Sequence, residues 1–159
     1  MGLALRIALG FFMIFQLLKA EQIEISSKSF YANEAQLKSE FNGDVLVKRA
    51  NDELRANKAI VYFDKKRQPL RYEAIGNAKF KAILKGKRYS GSGDKLVYDA
   101  INETYTIIGN GHLKELDGDK NVYGQKIVIN QKNGTYNVEG GDTTQPVRFI
   151  FNVQDKKDR

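Results

Sequence analysis

The chain has 159 residues, 42% of them apolar, and carries a formal charge of +7 without a single cysteine. That suffices for one domain with a modest core, and it excludes disulfide staples, thiolate metal sites, a cysteine nucleophile and a lipobox lipid anchor. His112 is the only histidine, so a His-based triad or a multi-histidine metal site lacks its parts.

Residues 1–20, MGLALRIALGFFMIFQLLKA, stand apart from the rest. Arg6 and the amino terminus supply a thin positive region, residues 7–15 form an unbroken apolar run, and Ala20 precedes a plausible cut, which is the pattern of a secretory signal. An uncleaved membrane anchor is the alternative, but the run is shorter than the roughly 20 residues of a spanning helix. Cleavage removes Arg6 and Lys19, taking Lys+Arg from 26 to 24 against 19 acids and leaving +5. The remainder reads as one domain over 21–153 and a charged tail over 154–159.

The first strand of that domain is predicted over 22–26, QIEIS, where apolar and polar side chains alternate. The best helix candidate, YANEAQLK over 31–38, is short. GDVLVK, GNAKFK and GNGHLK then begin at Gly43, Gly76 and Gly109, 33 residues apart. This is also the ankyrin period, but each copy has the period-two pattern of a half-buried strand. Val45 and Val47, Ala78 and Phe80, Gly111 and Leu113 share one face; Lys48, Lys81 and Lys114 share the other. The glycines supply a turn or bulge where each strand starts.

A second echo, a lysine followed by a short apolar run, occurs at Lys28, Lys58, Lys95 and Lys126. Turns are predicted over 65–69, at Gly91-Ser92-Gly93, at Asp117-Gly118-Asp119 and at Asn133-Gly134. The fold class is therefore all-β, made of repeated antiparallel hairpins. After Pro146, Val147, Phe149, Phe151 and Val153 alternate with Arg148, Ile150, Asn152 and Gln154 in a last strand. If the repeats stack in order, this strand and the first one, with Gln22, Ile23 and Ile25, carry free edges able to pair with another chain.

Together these residues resemble the OstA-like family of lipopolysaccharide transport. The likeness rests on Gly43-Asp44-Val45, Ala56-Asn57-Lys58, Gly93-Asp94-Lys95, Gly124-Gln125-Lys126 and Val138-Glu139-Gly140, in that order, and extends over about 22–141. Asn57 and Gln125 stand where the family usually has Asp. The resemblance implies a β-jellyroll of about sixteen short strands, in two sheets around a half-open apolar groove. It implies a periplasmic carrier of lipopolysaccharide that stacks head to tail as a homo-oligomer. Such a filament would join an inner-membrane-anchored jellyroll partner to the amino-terminal domain of the outer-membrane translocon. No cofactor, nucleic acid or catalysis is implied. The anchored jellyroll of the same machine, or a periplasmic chaperone for another lipid, are the alternatives.

By position in the family pattern, Ile23 is expected near the groove mouth and Phe80 and Tyr98 along its inner face. Phe30, Val45, Val47, Ile60, Leu113 and Ile127 are expected beside them. The first inward position shrinks from Val45 through Ala78 to Gly111, which either widens the groove toward one end or marks a bulge at Gly111. Lys48, Lys81 and Lys114 are expected to be a solvated outer face rather than a phosphate site.

Overall fold

The computed structural model describes residues 22–142 and 145–153. The expected signal over 1–20 and the tail over 154–159 lie outside the described residues. In chain order the strands are β1 (Ile23–Ser26), β2 (Ser29–Asn33), β3 (Lys38–Arg49), β4 (Asp52–Phe63), β5 (Pro69–Leu84), β6 (Lys87–Asp99), β7 (Thr104–Glu115), β8 (Lys120–Asn130), β9 (Thr135–Glu139) and β10 (Arg148–Ile150). They make one antiparallel sheet in the order β1-β3-β4-β5-β6-β7-β8-β10, with β2 also on β3 and β9 also on β8. The helix candidate over 31–38 is instead the end of β2, a turn and the start of β3. Asn33 Oδ1 accepts the N–H of Gln36 at 3.0 Å, the local side-chain bond that favours a turn over a helix.

Three of the six long strands carry a central bulge. Pairing slips by one residue between Asn42 and Val45 of β3, between Ile75 and Ala78 of β5, and between Ile108 and Gly111 of β7. The inserted pairs are Gly43-Asp44, Gly76-Asn77 and Gly109-Asn110, all at positive φ. The glycines of the 33-residue repeat therefore sit in mid-strand, not at strand starts. Facing these bulges on β4, β6 and β8 are Asn57, Asp94 and Gln125, the residues that carry the family pattern. A methyl on Gly109 would collide with the carboxylate of Asp94, and its φ of 80° is unfavourable for any side chain, so only glycine fits. Asn110 completes the arrangement, its N–H donating to Gln125 Oε1 at 3.3 Å.

The line of bulges divides the sheet into two halves that face one another. Six long strands, β3 to β8, each give a segment to both halves, and four short ones complete the edges, so sixteen segments result. The upper half carries β2 and β9 at its edges; the lower half carries β1 and β10. Core packing crosses between them: Ile107, Ile127 and Ile129 of the upper half meet Leu113, Phe80 and Val122 of the lower, and Val61 and Phe63 meet Ile25. This is the jellyroll architecture expected above.

The turn expected at Gly91-Ser92-Gly93 is the middle of β6. These glycines make room rather than reverse the chain: a Cβ at Gly91 would strike the Phe80 ring, and one at Gly93 would meet Ile107 Cγ2 at 2.6 Å. The turns over 65–69, 117–119 and 133–134 are present.

Candidate functional site: a trough between the half-sheets

Between the two halves runs an open trough of about 480 Å³. Its cross-section follows from the pairing register, because antiparallel partners project to the same face. On the lower wall one row reads Ile25, Val47, Leu54, Phe80, Gly91, Leu113 across β1 and β3 to β7, and Val122 and Phe149 extend it to the far edge. On the upper wall the row nearest the bend is Phe41, Ala59, Ala74, Leu96, Ile107, Ile127. The next row outward is Val61, Tyr72, Tyr98, Tyr105, Ile129.

Three tyrosines therefore lie side by side, with ring centroids of Tyr72 and Tyr98 5.9 Å apart and those of Tyr98 and Tyr105 4.5 Å apart and stacked. Burial raises the pKa of all three phenols, with neighbouring phenols or Glu103 adding to it, while Arg49 across the trough partly offsets the rise. Arg49 forms an ion pair with Asp52 at 3.3 Å, and both line the trough lip with Lys85 and Lys87. Polarity thus grades outward: aliphatic at the bend, phenolic midway, charged at the lip.

Of the residues anticipated from sequence, Ile23, Val47, Phe80, Tyr98 and Leu113 line the trough. Val45, 2% exposed, and Ile127, 1% exposed, are sealed in the core at the bend. Phe30 stands at the rim on edge strand β2, exposed, with its ring 5.0 Å from that of Phe41. Ile60 borders the trough, yet it is one residue out of phase with Val61, and its register partners are Glu40 and Glu73 of the opposite face. There Glu73 accepts from Tyr62 Oη at 3.2 Å and pairs with Lys95 at 3.1 Å, covering Ile60 from outside. The sequence reading missed Leu54, Tyr72 and Tyr105. The alternation on β4 is a usable signal for Leu54, whereas the tyrosines line up only once the register is set.

Of the two readings of Gly111, the bulge is the one present, since the irregular step of β7 runs from Ile108 to Gly111. A Cβ there would meet the Gly124 carbonyl at 2.7 Å and Ile107 and Ile127 at 3.3 Å, so side chains of the upper half already fill the space. Lys48 and Lys81 share an outer row with Glu24 and Glu53, and Lys114 pairs with Asp119 at 3.4 Å, as a solvated face does.

Each side of the lower half ends in a short strand. Among the described residues β1 pairs only with β3 and β10 only with β8, so Ile23 and Ile25 lie on one edge strand, just after Gln22, and Phe149 on the other, with Val147, Phe151 and Val153 beside it in the chain. Phe149 and Phe151 are exposed and touch edge to face at 5.6 Å. Among the described residues no group of acidic, histidine or cysteine side chains could hold a metal ion, and no helix is long and apolar enough to cross a membrane.

No curated protein matches this sequence. Among solved structures, the chain is similar to the crystal structure of LptH from Pseudomonas aeruginosa, the LptA-homologous periplasmic component of that organism's lipopolysaccharide transport device. The two share 15% identity with a TM-score of 0.69, over 84% of this chain and 96% of LptH. That likeness supports the fold, a twisted antiparallel jellyroll bent along one line. A family model described as LptA/(LptD N-terminal domain) LPS transport protein matches residues 24–135, from β1 through the whole bulge line to the start of β9, and the chain belongs to that family.

Proposed function

We propose that this protein is a periplasmic carrier that binds lipopolysaccharide by its acyl chains in the trough and passes it along a head-to-tail stack toward the outer membrane. The observation that carries this reading is the continuity of the lower-wall apolar row from edge strand to edge strand. Exposing an acyl chain of about ten methylenes to water costs on the order of 8 kcal/mol, at roughly 0.8 kcal/mol each, so a lipid moves between membranes only where the apolar path is unbroken. In this reading Ile23, Val47, Phe80, Tyr98 and Leu113 contact the chains, while Val45 and Ile127 hold the wall in place.

Stacking extends the same logic. The free edges of β1 and β10 differ from one another, and a contact between unlike edges repeats without closing into a ring. Exposed apolar residues stand at both edges of the sheet, Phe30 on β2 at one and Phe149 on β10, with Phe151 just beyond it, at the other. A second copy, the anchored jellyroll of the inner membrane or the translocon's amino-terminal domain would each extend the apolar row across the joint. Energy for movement comes from a partner.

The test is photocrosslinking in cells with a benzophenone side chain placed in turn at Phe80, Tyr98 and Lys81, followed by detection of lipopolysaccharide. Adducts at Phe80 and Tyr98 without adducts at outward Lys81 support the carrier. Absence of adducts at both inward sites in folded, exported protein refutes it.

A further inference from the structure

The upper wall holds an oddity for a surface that need only be greasy. In the row nearest the bend every side chain is hydrocarbon, but the adjacent row sets Tyr72, Tyr98 and Tyr105 in consecutive register. Phenylalanine would give the same ring contacts, so the hydroxyls call for a reason. Among the described residues the hydroxyls of Tyr98 and Tyr105 have no hydrogen-bond partner, and both side chains line the trough. A half-buried phenol without a partner is costly unless water or a ligand accepts from it.

We infer that Tyr98 and Tyr105 form a polar subsite that donates hydrogen bonds to the carbonyl oxygens of ester- or amide-linked acyl groups, setting the depth of an acylated amphiphile in the trough. This inference rests on the carrier reading above. The graded cross-section gives it geometry. The linkage oxygens would lie at the phenols and the polar head at the lip beside Arg49 and Lys85, while the hydrocarbon runs lengthwise along the aliphatic rows that hold Leu96 and Ile107. The phenols suit a neutral acceptor: burial holds them protonated, and Arg49 is already engaged with Asp52. Their rings stack with centroids 4.5 Å apart, so one wall offers two phenols to a molecule bearing several acyl linkages.

The experiment compares a monoacyl lysophospholipid with its alkyl-ether counterpart of equal chain length and headgroup, each measured by displacement of a fluorescent fatty-acyl probe from the full exported chain. The native protein is expected to prefer the ester about fivefold to tenfold, the worth of one to two net hydrogen bonds. The double variant Tyr98→Phe with Tyr105→Phe should bind both lipids alike, and a native-like urea midpoint is the control for its folding. Equal binding of ester and ether by the native protein overturns the subsite, and so does a preference that persists in the double variant. Binding of neither lipid by the native protein overturns the carrier reading itself.

Discussion

The ring of Phe80 lies over Gly91, its register partner across β5 and β6, so closely that a single methyl at Gly91 would run into it. The glycine leaves the space beside the sheet that the Phe80 ring occupies. Gly91→Val should push the Phe80 ring into the trough, lower stability by about 1–3 kcal/mol in urea unfolding and abolish lipid adducts at position 98. Retention of both stability and adducts would show that the ring has another place to go.

The bend depends on the Gly-X bulges. Gly109→Ala forces a side chain into a left-handed backbone against Asp94, and a loss of about 1–3 kcal/mol is expected on thermal unfolding. Combining it with Asp94→Gly should restore part of the loss, since the collision goes while the backbone strain stays.

Ile127 and Leu54 separate core from trough. Ile127, 1% exposed, packs with Ile107 and Leu113, and Ile127→Ala should cost about 2–5 kcal/mol with lipid contact at Phe80 preserved in whatever fraction remains folded. Leu54→Ala, on the trough wall, should cost less stability and more lipid binding. Urea midpoints paired with lipid displacement distinguish the two roles.

Asp99 caps the turn between β6 and β7. Its Oδ1 accepts the N–H groups of Asn102 at 3.0 Å and Ile101 at 2.9 Å, and its Oδ2 accepts from the Asn102 side chain at 3.1 Å. Those bonds, that of the Asn102 N–H first, hold its pKa below the usual carboxylate value. A group depressed on folding contributes stability above its unfolded pKa and loses it as pH falls through the folded one. The melting-temperature gap between native protein and Asp99→Ala should therefore be wider at about pH 6 than at about pH 2. A gap independent of pH would mean that the cap acts through shape alone.

A native chain without cysteine makes the edges easy to test. Protein bearing Glu24→Cys in β1, mixed with protein bearing Ile150→Cys in β10, both on the outer face, should form the mixed disulfide dimer in preference to either like pair. Like pairs in excess would point to a symmetric contact and against an open stack.

Alternation alone was enough to assign Val47, Phe80 and Leu113 to one face and Lys48, Lys81 and Lys114 to the other, because side-chain direction in a strand is set by covalent geometry and period two. The repeated Gly-X pairs marked, in the sequence itself, where each strand would break its regular pairing. What they did there was not legible: a glycine with positive φ serves equally at a turn or in a mid-strand bulge, and pairing decides between them. Gly91 and Gly93 read as a turn for the same reason; only the rings and methyls of Phe80 and Ile107, brought from neighbouring strands, require their missing side chains. Ile60 shows the limit from the other side, since its apolar side chain faces outward under a lid of charged neighbours, a burial that no single strand's pattern announces. Local backbone chemistry determined strands, faces and the points of bending. The meeting of Tyr72, Tyr98 and Tyr105, 26 and 7 residues apart along the chain, was decided by tertiary register, because a cross-strand row exists only once every pairing on either side of it has been chosen.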